Sequence, residues 1–143
     1  MTGNEAPAMN AALSHARCPC RTERDALSHA ACCGRYHAGP LHLLAPDAEA
    51  LMRSRYSAFA LGLTGYLLDT WHASTRPALV EPDPPGLKWL GLVVRHHTVQ
   101  DAGHATVEFI ARSKLGGRAH RLMETSRFVR EDGRWFYVDG AMS

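Results

Sequence analysis

The chain contains four cysteines, and all of them fall within sixteen positions: Cys18, Cys20, Cys32 and Cys33. Cys18-Pro19-Cys20 and Cys32-Cys33 are tight pairs separated by eleven residues, and the 110 residues that follow hold no further cysteine. Zn²⁺ takes four thiolate or imidazole ligands at about 2.0–2.3 Å in a tetrahedral arrangement. Each pair can supply two corners, and closing so short a loop costs little chain entropy. The expected chemistry is one closed, structural zinc site with four sulfur ligands rather than an open catalytic one. His29 or His37 in place of one sulfur is the alternative ligand set. Cys18-x-Cys20 is too tight for the usual C-x-x-C exchange motif, which counts against redox chemistry. Residues 1–17 lack the charged and apolar regions of a secretory signal, so the expected location is the cytoplasm, where clustered thiols hold metal more often than they form bridges.

A closed four-thiolate zinc site carries a formal charge of −2 and needs compensation nearby. Arg17, Arg21, Arg24 and Arg35 flank or lie inside the segment, and backbone N–H groups can donate to the sulfurs as well. Residues 17–40, the expected knuckle, are too few to bury a core of their own, so metal binding should drive their folding.

The remaining elements are read from period and punctuation. At 143 residues and 45% hydrophobic content, the chain has matter for one ordinary core with a small appendage. No apolar run approaches the ~20 residues needed to cross a bilayer. Sixteen basic against fourteen acidic residues give a net charge of +2, too weak to argue for nucleic acid by charge. Aromatic interleaving near the cysteines is limited to Tyr36, so nucleic acid ranks last among partners. Residues 1–16 read as a flexible tail and Gly34 to Pro40 as an irregular connector. Asp47 is a good N-cap for a helix running to about Leu61, with Gly62 as its stop. Leu51, Arg55, Ala58 and Phe59 share one face of that helix, with Met52 and Tyr56 beside them. A short helix from Thr64 to about Trp71 follows, then a loop with four prolines between Pro77 and Gly86. Residues 88–100, 104–114, 118–130 and 134–139 read as strands joined by Asp101-Ala102-Gly103, Gly116-Gly117 and Asp132-Gly133 turns. Helices first and a meander after give an α+β layout with helices covering one face of a curved antiparallel four-stranded sheet.

Several blocks resemble the YchJ-like family, also called UPF0225. They are Leu51-Met52-Arg53-Ser54-Arg55-Tyr56-Ser57-Ala58-Phe59, Tyr66-Leu67-Leu68-Asp69-Thr70-Trp71-His72, Val107-Glu108-Phe109-Ile110-Ala111, Glu124-Thr125-Ser126-Arg127-Phe128 and Gly133-Arg134-Trp135-Phe136-Tyr137-Val138-Asp139-Gly140. The resemblance spans residues 18–140 and implies an NTF2-like, cystatin-type cone over residues 44–143 behind an N-terminal SEC-C zinc motif. That motif resembles the zinc tail of the bacterial secretion motor, which contacts other proteins, and maps here to Cys18, Cys20, Cys32 and Cys33. It implies a fold and a metal site but no reaction.

An NTF2-like cone encloses a cavity between sheet and helices, which directs attention to polar residues on inward faces. Glu124 alternates with Ser126 and Phe128 and so shares their sheet face, whereas Glu108 alternates against Val107 and Phe109. Glu124, Arg55 and His72 are the candidates for acid/base work. Arg53, Tyr56, Trp71, Trp89, Ser126 and Trp135 are the candidates for the cavity wall. A Glu124–Arg55 pair is expected to act chiefly as a structural ion pair between sheet and helix, and His72 as a cap or surface residue. Two functions compete. One is a zinc-binding protein whose knuckle docks on a protein partner while the cone binds a small molecule or a second copy of the chain. The other is a small enzyme that uses a buried Glu on a metabolite.

Overall fold

The computed structural model describes residues 15–142; the tail expected over residues 1–16 lies, up to residue 14, outside them. Four strands, β1 (Lys88–Asp101), β2 (His104–Leu115), β3 (Arg118–Glu131) and β4 (Arg134–Met142), form one antiparallel sheet in the order β1-β2-β3-β4. The strands follow the expected boundaries closely, except that β4 continues three residues past Asp139 to Met142. Asp132 and Gly133 sit at φ 52° and 76°, the positive pair that a two-residue hairpin of primed type requires. Register shifts interrupt β1 at Trp89/Gly91, Val94/His96 and Val99/Asp101. Such bulges bend and twist a strand, and here they recur along the strand at one edge of the sheet.

The inner face of the sheet follows from alternation, with Ile110 of β2 buried as well on the other face. Ala105, Val107, Phe109 and Ala111 of β2 are buried, as are Ser126 and Phe128 of β3. Glu108 points the other way, half-buried on the outer face, with His96 Nε2 3.8 Å from its carboxylate. His96 is exposed and His97 is half-buried.

Among the described residues the sheet is preceded by α1 (Gly34–His37), α2 (Ala48–Leu61) and α3 (Thr64–Asp69). The expected connector over Gly34–Pro40 thus contains one helical turn, which buries Tyr36. Asp47 caps α2 by accepting from the Ala50 N–H at 2.7 Å, and the helix ends at Gly62 with φ 74°. α3 stops at Asp69, two residues short of expectation. The Thr70 hydroxyl folds back onto the Tyr66 carbonyl at 2.8 Å. The chain then crosses to β4, where Tyr137 N–H donates to Thr70 C=O at 2.8 Å and His72 N–H to Tyr137 C=O at 2.7 Å.

Helix α2 is buried on more than one side. Leu51, Met52, Arg55, Tyr56 and Ala58 are buried toward the sheet, as the helical period predicts, but Ser54 and Ser57 are also 0% exposed. The cysteine segment covers Ser57 and reaches the Ser54 carbonyl through His37, while the Ser54 hydroxyl bonds to Tyr66 at 2.8 Å; α2 thus lies between the cysteine segment and the sheet. Large apolar side chains such as Leu51, Leu67, Leu92, Val107 and Phe128 make the core of the cone. The four cysteines and Tyr36 belong to the same buried cluster, and Ser57 adds a small polar contact with the knuckle. A chain beginning at residue 41 should remain folded and melt cooperatively, at a lower temperature than the full chain because Ser57 and the Ser54 carbonyl lose their partners and the cluster loses Tyr36 and the cysteines. Circular dichroism during heating checks this. An unfolded truncated chain would show that the knuckle is integral to the core.

Candidate functional site

The cysteine segment is a short folded-back ribbon. Arg17 bridges Ser28, Cys18 N–H donates to Leu27 C=O at 2.8 Å, and His29 N–H donates to Ala16 C=O at 2.8 Å. This brings the first pair under the second. The four Sγ atoms lie within 4.8 Å of one another, every cysteine is at most 2% exposed, and none is in a disulfide. Cys20 Sγ lies 3.6 Å from both Cys32 Sγ and Cys33 Sγ. Crowded thiols share protons: hydrogen bonds among the sulfurs push Cys18 and Cys32 down while raising Cys20 and Cys33. The donor set is four buried sulfurs converging on one point, which is the chemistry of a closed site for a single metal ion.

Groups around the sulfurs fix the site to the cone. Ser57 Oγ sits 3.3 Å from both Cys18 Sγ and Cys33 Sγ. Arg21 Nε donates to Cys32 Sγ at 3.1 Å, and Arg53 Nη1 donates to Cys20 C=O at 3.0 Å. Of the arginines expected to compensate thiolate charge, Arg21 reaches a sulfur and Arg35 reaches the Cys32 carbonyl at 2.9 Å; Arg17 and Arg24 are exposed. Arg53, expected on the cavity wall, stands instead on this side of α2, paired with Glu49 at 3.0 Å. His29 and His37 bond to each other, Nε2 to Nδ1, at 2.8 Å. The Ser54 carbonyl, 2.9 Å from His37 Nε2, can only accept. His37 therefore carries its proton on Nε2 and takes a hydrogen bond from His29 at Nδ1. Burial lowers both imidazoles, His37 to about 4, so they are neutral at pH 7. They brace the knuckle against α2 and lie outside the group of four converging sulfurs.

On the opposite side of α2 the cone opens into a cavity of about 250 Å³. Its wall is mainly aromatic, including Tyr56, Trp71, Trp89, Phe109 and Tyr137, and Arg55, Ser126 and Glu124 also line it. Arg55 is 5% exposed, and its guanidinium lies 5.0 Å from the Trp71 ring centre and 4.3 Å from that of Tyr137. Arg55 Nη1 donates to Leu67 C=O at 2.8 Å and to Thr70 Oγ1 at 2.7 Å, which ties α2 to the end of α3. Burial lowers Arg55 to about 10, against the pull of Tyr137, Tyr66 and Glu124. It remains a cation at neutral pH.

Glu124 accepts from Ser126 Oγ at 2.6 Å. It does not come within the 4.0 Å of an ion pair with Arg55, so the expected structural pair is absent although both groups line one cavity. The carboxylate rests over Gly140 of β4, where a Cβ would collide with Glu124 Oε2 and Cδ. His72 is drawn away from the cavity, with Nε2 2.8 Å from Glu131 and Nδ1 2.6 Å from Ser74. Trp135 is buried beside Arg130 in the β3–β4 ladder and lies outside the lining. Tyr56, Trp71, Trp89 and Ser126 line the cavity. Sequence reading missed Ser57, Tyr137, Asp83 and Gly140. Ser54 and Ser57, three apart on a helix with a mostly apolar face, were the available signal for the knuckle contact. Asp83, which accepts from Trp89 Nε1 at 2.8 Å, sits in a loop with no pattern to mark it.

The approach of Glu124 to Gly140 generates a coupled prediction. Gly140→Ala should lower stability by about 1–3 kcal/mol through overpacking. In a Glu124→Ala background the space is vacant, and the same change should cost much less. Thermal or denaturant unfolding of the four proteins in this cycle measures the coupling; strict additivity would contradict the observed contact.

The comparisons agree with this geometry. Residues 47–140 match the family model described as YchJ, middle NTF2-like domain. A UPF0225 protein of Methylibium petroleiphilum is 64% identical over 126 residues, covering 88% of this chain and 90% of that protein. One from Bordetella parapertussis is 58% identical over 127 residues, covering 89% and 93%. Among solved structures, a SEC-C motif containing protein from Psychrobacter arcticus superposes with a TM-score of 0.75 at 29% identity, covering 92% of this chain and 85% of that one. Another from Rhodopseudomonas palustris gives 0.73 at 30%, covering 89% and 98%. With a buried four-cysteine cluster ahead of an NTF2-like cone, and relatives matched over nearly their whole length, this chain belongs to the UPF0225 (YchJ-like) family.

Proposed function

We propose that this is a zinc-stabilised small-molecule-binding protein of the cytoplasm, in which the Cys18, Cys20, Cys32 and Cys33 site is structural and the cone is the working site. The observation that carries the binding role is the aromatic cavity with Arg55 buried in its wall. Burying a cation costs several kcal/mol unless its donors are used, and Arg55 Nε and Nη2 find no hydrogen-bond partner among the described residues. A ligand would use them. Binding is favoured over acid/base catalysis because, among the described residues, no imidazole lines the cavity and Asp83, a second carboxylate there, is engaged by Trp89. The cytoplasmic placement rests on four cysteines that form no disulfide. No helix among the described residues is long and apolar enough to cross a membrane.

The sulfur separations support zinc. A tetrahedron with Zn–S bonds of about 2.3 Å has edges of about 3.8 Å, and the separations among Cys20, Cys32 and Cys33 are 3.6, 3.6 and 4.0 Å. The site is closed, since all four corners are protein sulfur and all are buried. Such an ion holds structure and offers no position for substrate.

A protein partner at the knuckle is the second reading. Leu27, Leu41 and Leu44, in the knuckle and the connector after it, are 39%, 46% and 47% exposed, apolar surface that a protein could cover.

Elemental analysis of protein purified without chelator should show about one equivalent of zinc; four reduced thiols without metal would overturn that assignment. For the cone, full-length protein titrated with a set of aromatic fragments should show NMR shifts at the amides of Arg55, Glu124 and Phe128. Phe109→Trp, which fills the cavity, should abolish them. Fragments that move only surface amides would refute the binding role.

A further inference from the structure

The charges inside the cone say which kind of ligand fits: Asp83 lines it with Oδ2 accepting from Trp89 Nε1 at 2.8 Å, and Arg55 and Glu124 are the other charged groups of the wall. Arg55 is buried with Nη1 already committed to Leu67 C=O and Thr70 Oγ1. Its Nε and Nη2 make no hydrogen bond among the described residues and are not sealed off, and Arg55 lines the cavity. Glu124 uses Oε2 to accept from Ser126, and Oε1 is likewise neither bonded nor sealed off. The two groups therefore present donors and an acceptor to one space, more than the 4.0 Å of an ion pair apart yet near enough for Glu124 to favour the charged form of Arg55.

In an apolar cavity that spacing decides ligand charge. An anion would pair with Arg55 but meet the Glu124 carboxylate, and a cation would pair with Glu124 but meet the guanidinium. In a low-dielectric site such like-charge contacts are costly, and polar groups left without partners add to the penalty. A neutral group with an acceptor beside a donor satisfies both residues and adds no charge. The aromatic rings around it favour a planar body.

We infer that the cone binds a neutral, planar, one- or two-ring molecule carrying adjacent acceptor and donor groups, such as a lactam, with the acceptor on Arg55 and the donor on Glu124. This rests on the binding role proposed for the cone and names the ligand class for it.

Three probes of similar size and different charge test it on full-length, metal-loaded protein: isoquinolin-1-one, 2-naphthoate and 2-naphthylmethylammonium. NMR titration or calorimetry should show the neutral lactam binding at least about tenfold more tightly than either ion. Glu124→Gln keeps the shape and the Ser126 contact while removing the negative charge, and should raise naphthoate affinity by about tenfold or more. If naphthoate or the ammonium ion binds the parent as tightly as the lactam, the ligand class is wrong and the binding role of the cone stands. Naphthoate affinity unchanged in Glu124→Gln also overturns the class. Failure of all three probes to move any cavity amide overturns both.

Discussion

The Ser57 hydroxyl, wedged between Cys18 Sγ and Cys33 Sγ at 3.3 Å from each, is the contact on which the arrangement of the molecule depends. It joins a segment too small to hold a core to the one long helix of the cone. Because α2 turns every 3.6 residues, fixing Ser54 and Ser57 against the knuckle also fixes Leu51, Arg55 and Tyr56 toward the sheet. Rotation or translation of α2 would loosen the sulfur cluster and misplace Arg55 together. The four-cysteine site and the cavity are distinct in chemistry but share a wall.

The polar groups divide accordingly. On the knuckle side they neutralise and brace: Arg21 at a sulfur, Arg53 and Arg35 at cysteine carbonyls, and two neutral histidines relaying a hydrogen bond to Ser54. On the cone side they remain partly uncommitted. Arg55 spends one nitrogen on tying α2 to α3, and Glu124 spends one oxygen on Ser126. A purely structural pair would have closed on itself at this depth. Their separation is what gives the cone a polar centre.

Much of this was legible from the chain. Asp47, Gly62 and the Asp132-Gly133 turn act locally, so the ends of α2 and the hairpin could be read directly. The cysteine pairs could be read because four residues of one scarce type converge only for a shared purpose. Alternation placed Glu124 with Ser126 and Phe128 on the inner face. Contacts between elements distant in sequence were less accessible. Arg53 and Arg55 are two apart and both on α2, yet they serve opposite sides, because the knuckle covers a face that the cone alone would leave to water. The expected Glu124–Arg55 pair gave way to a carboxylate laid over Gly140, a neighbour set by the β3–β4 register and its bulge. Trp135 was assigned to the cavity on residue type, whereas the strand ladder holds it outside; His72, read both as an acid/base candidate and as a cap or surface residue, pairs with Glu131 outside the lining.

The central claim is that the metal-bound knuckle positions α2 through Ser54 and Ser57 while the sheet is stable without it. Amide hydrogen exchange on the full chain, with and without a zinc chelator at neutral pH, tests it most directly. Metal removal should speed exchange across residues 16–37 and in the turn of α2 from Ser54 to Ala58, with the amides of β2 and β3 keeping their protection. Uniform loss of protection through the sheet, or no change in α2 at all, would contradict the account.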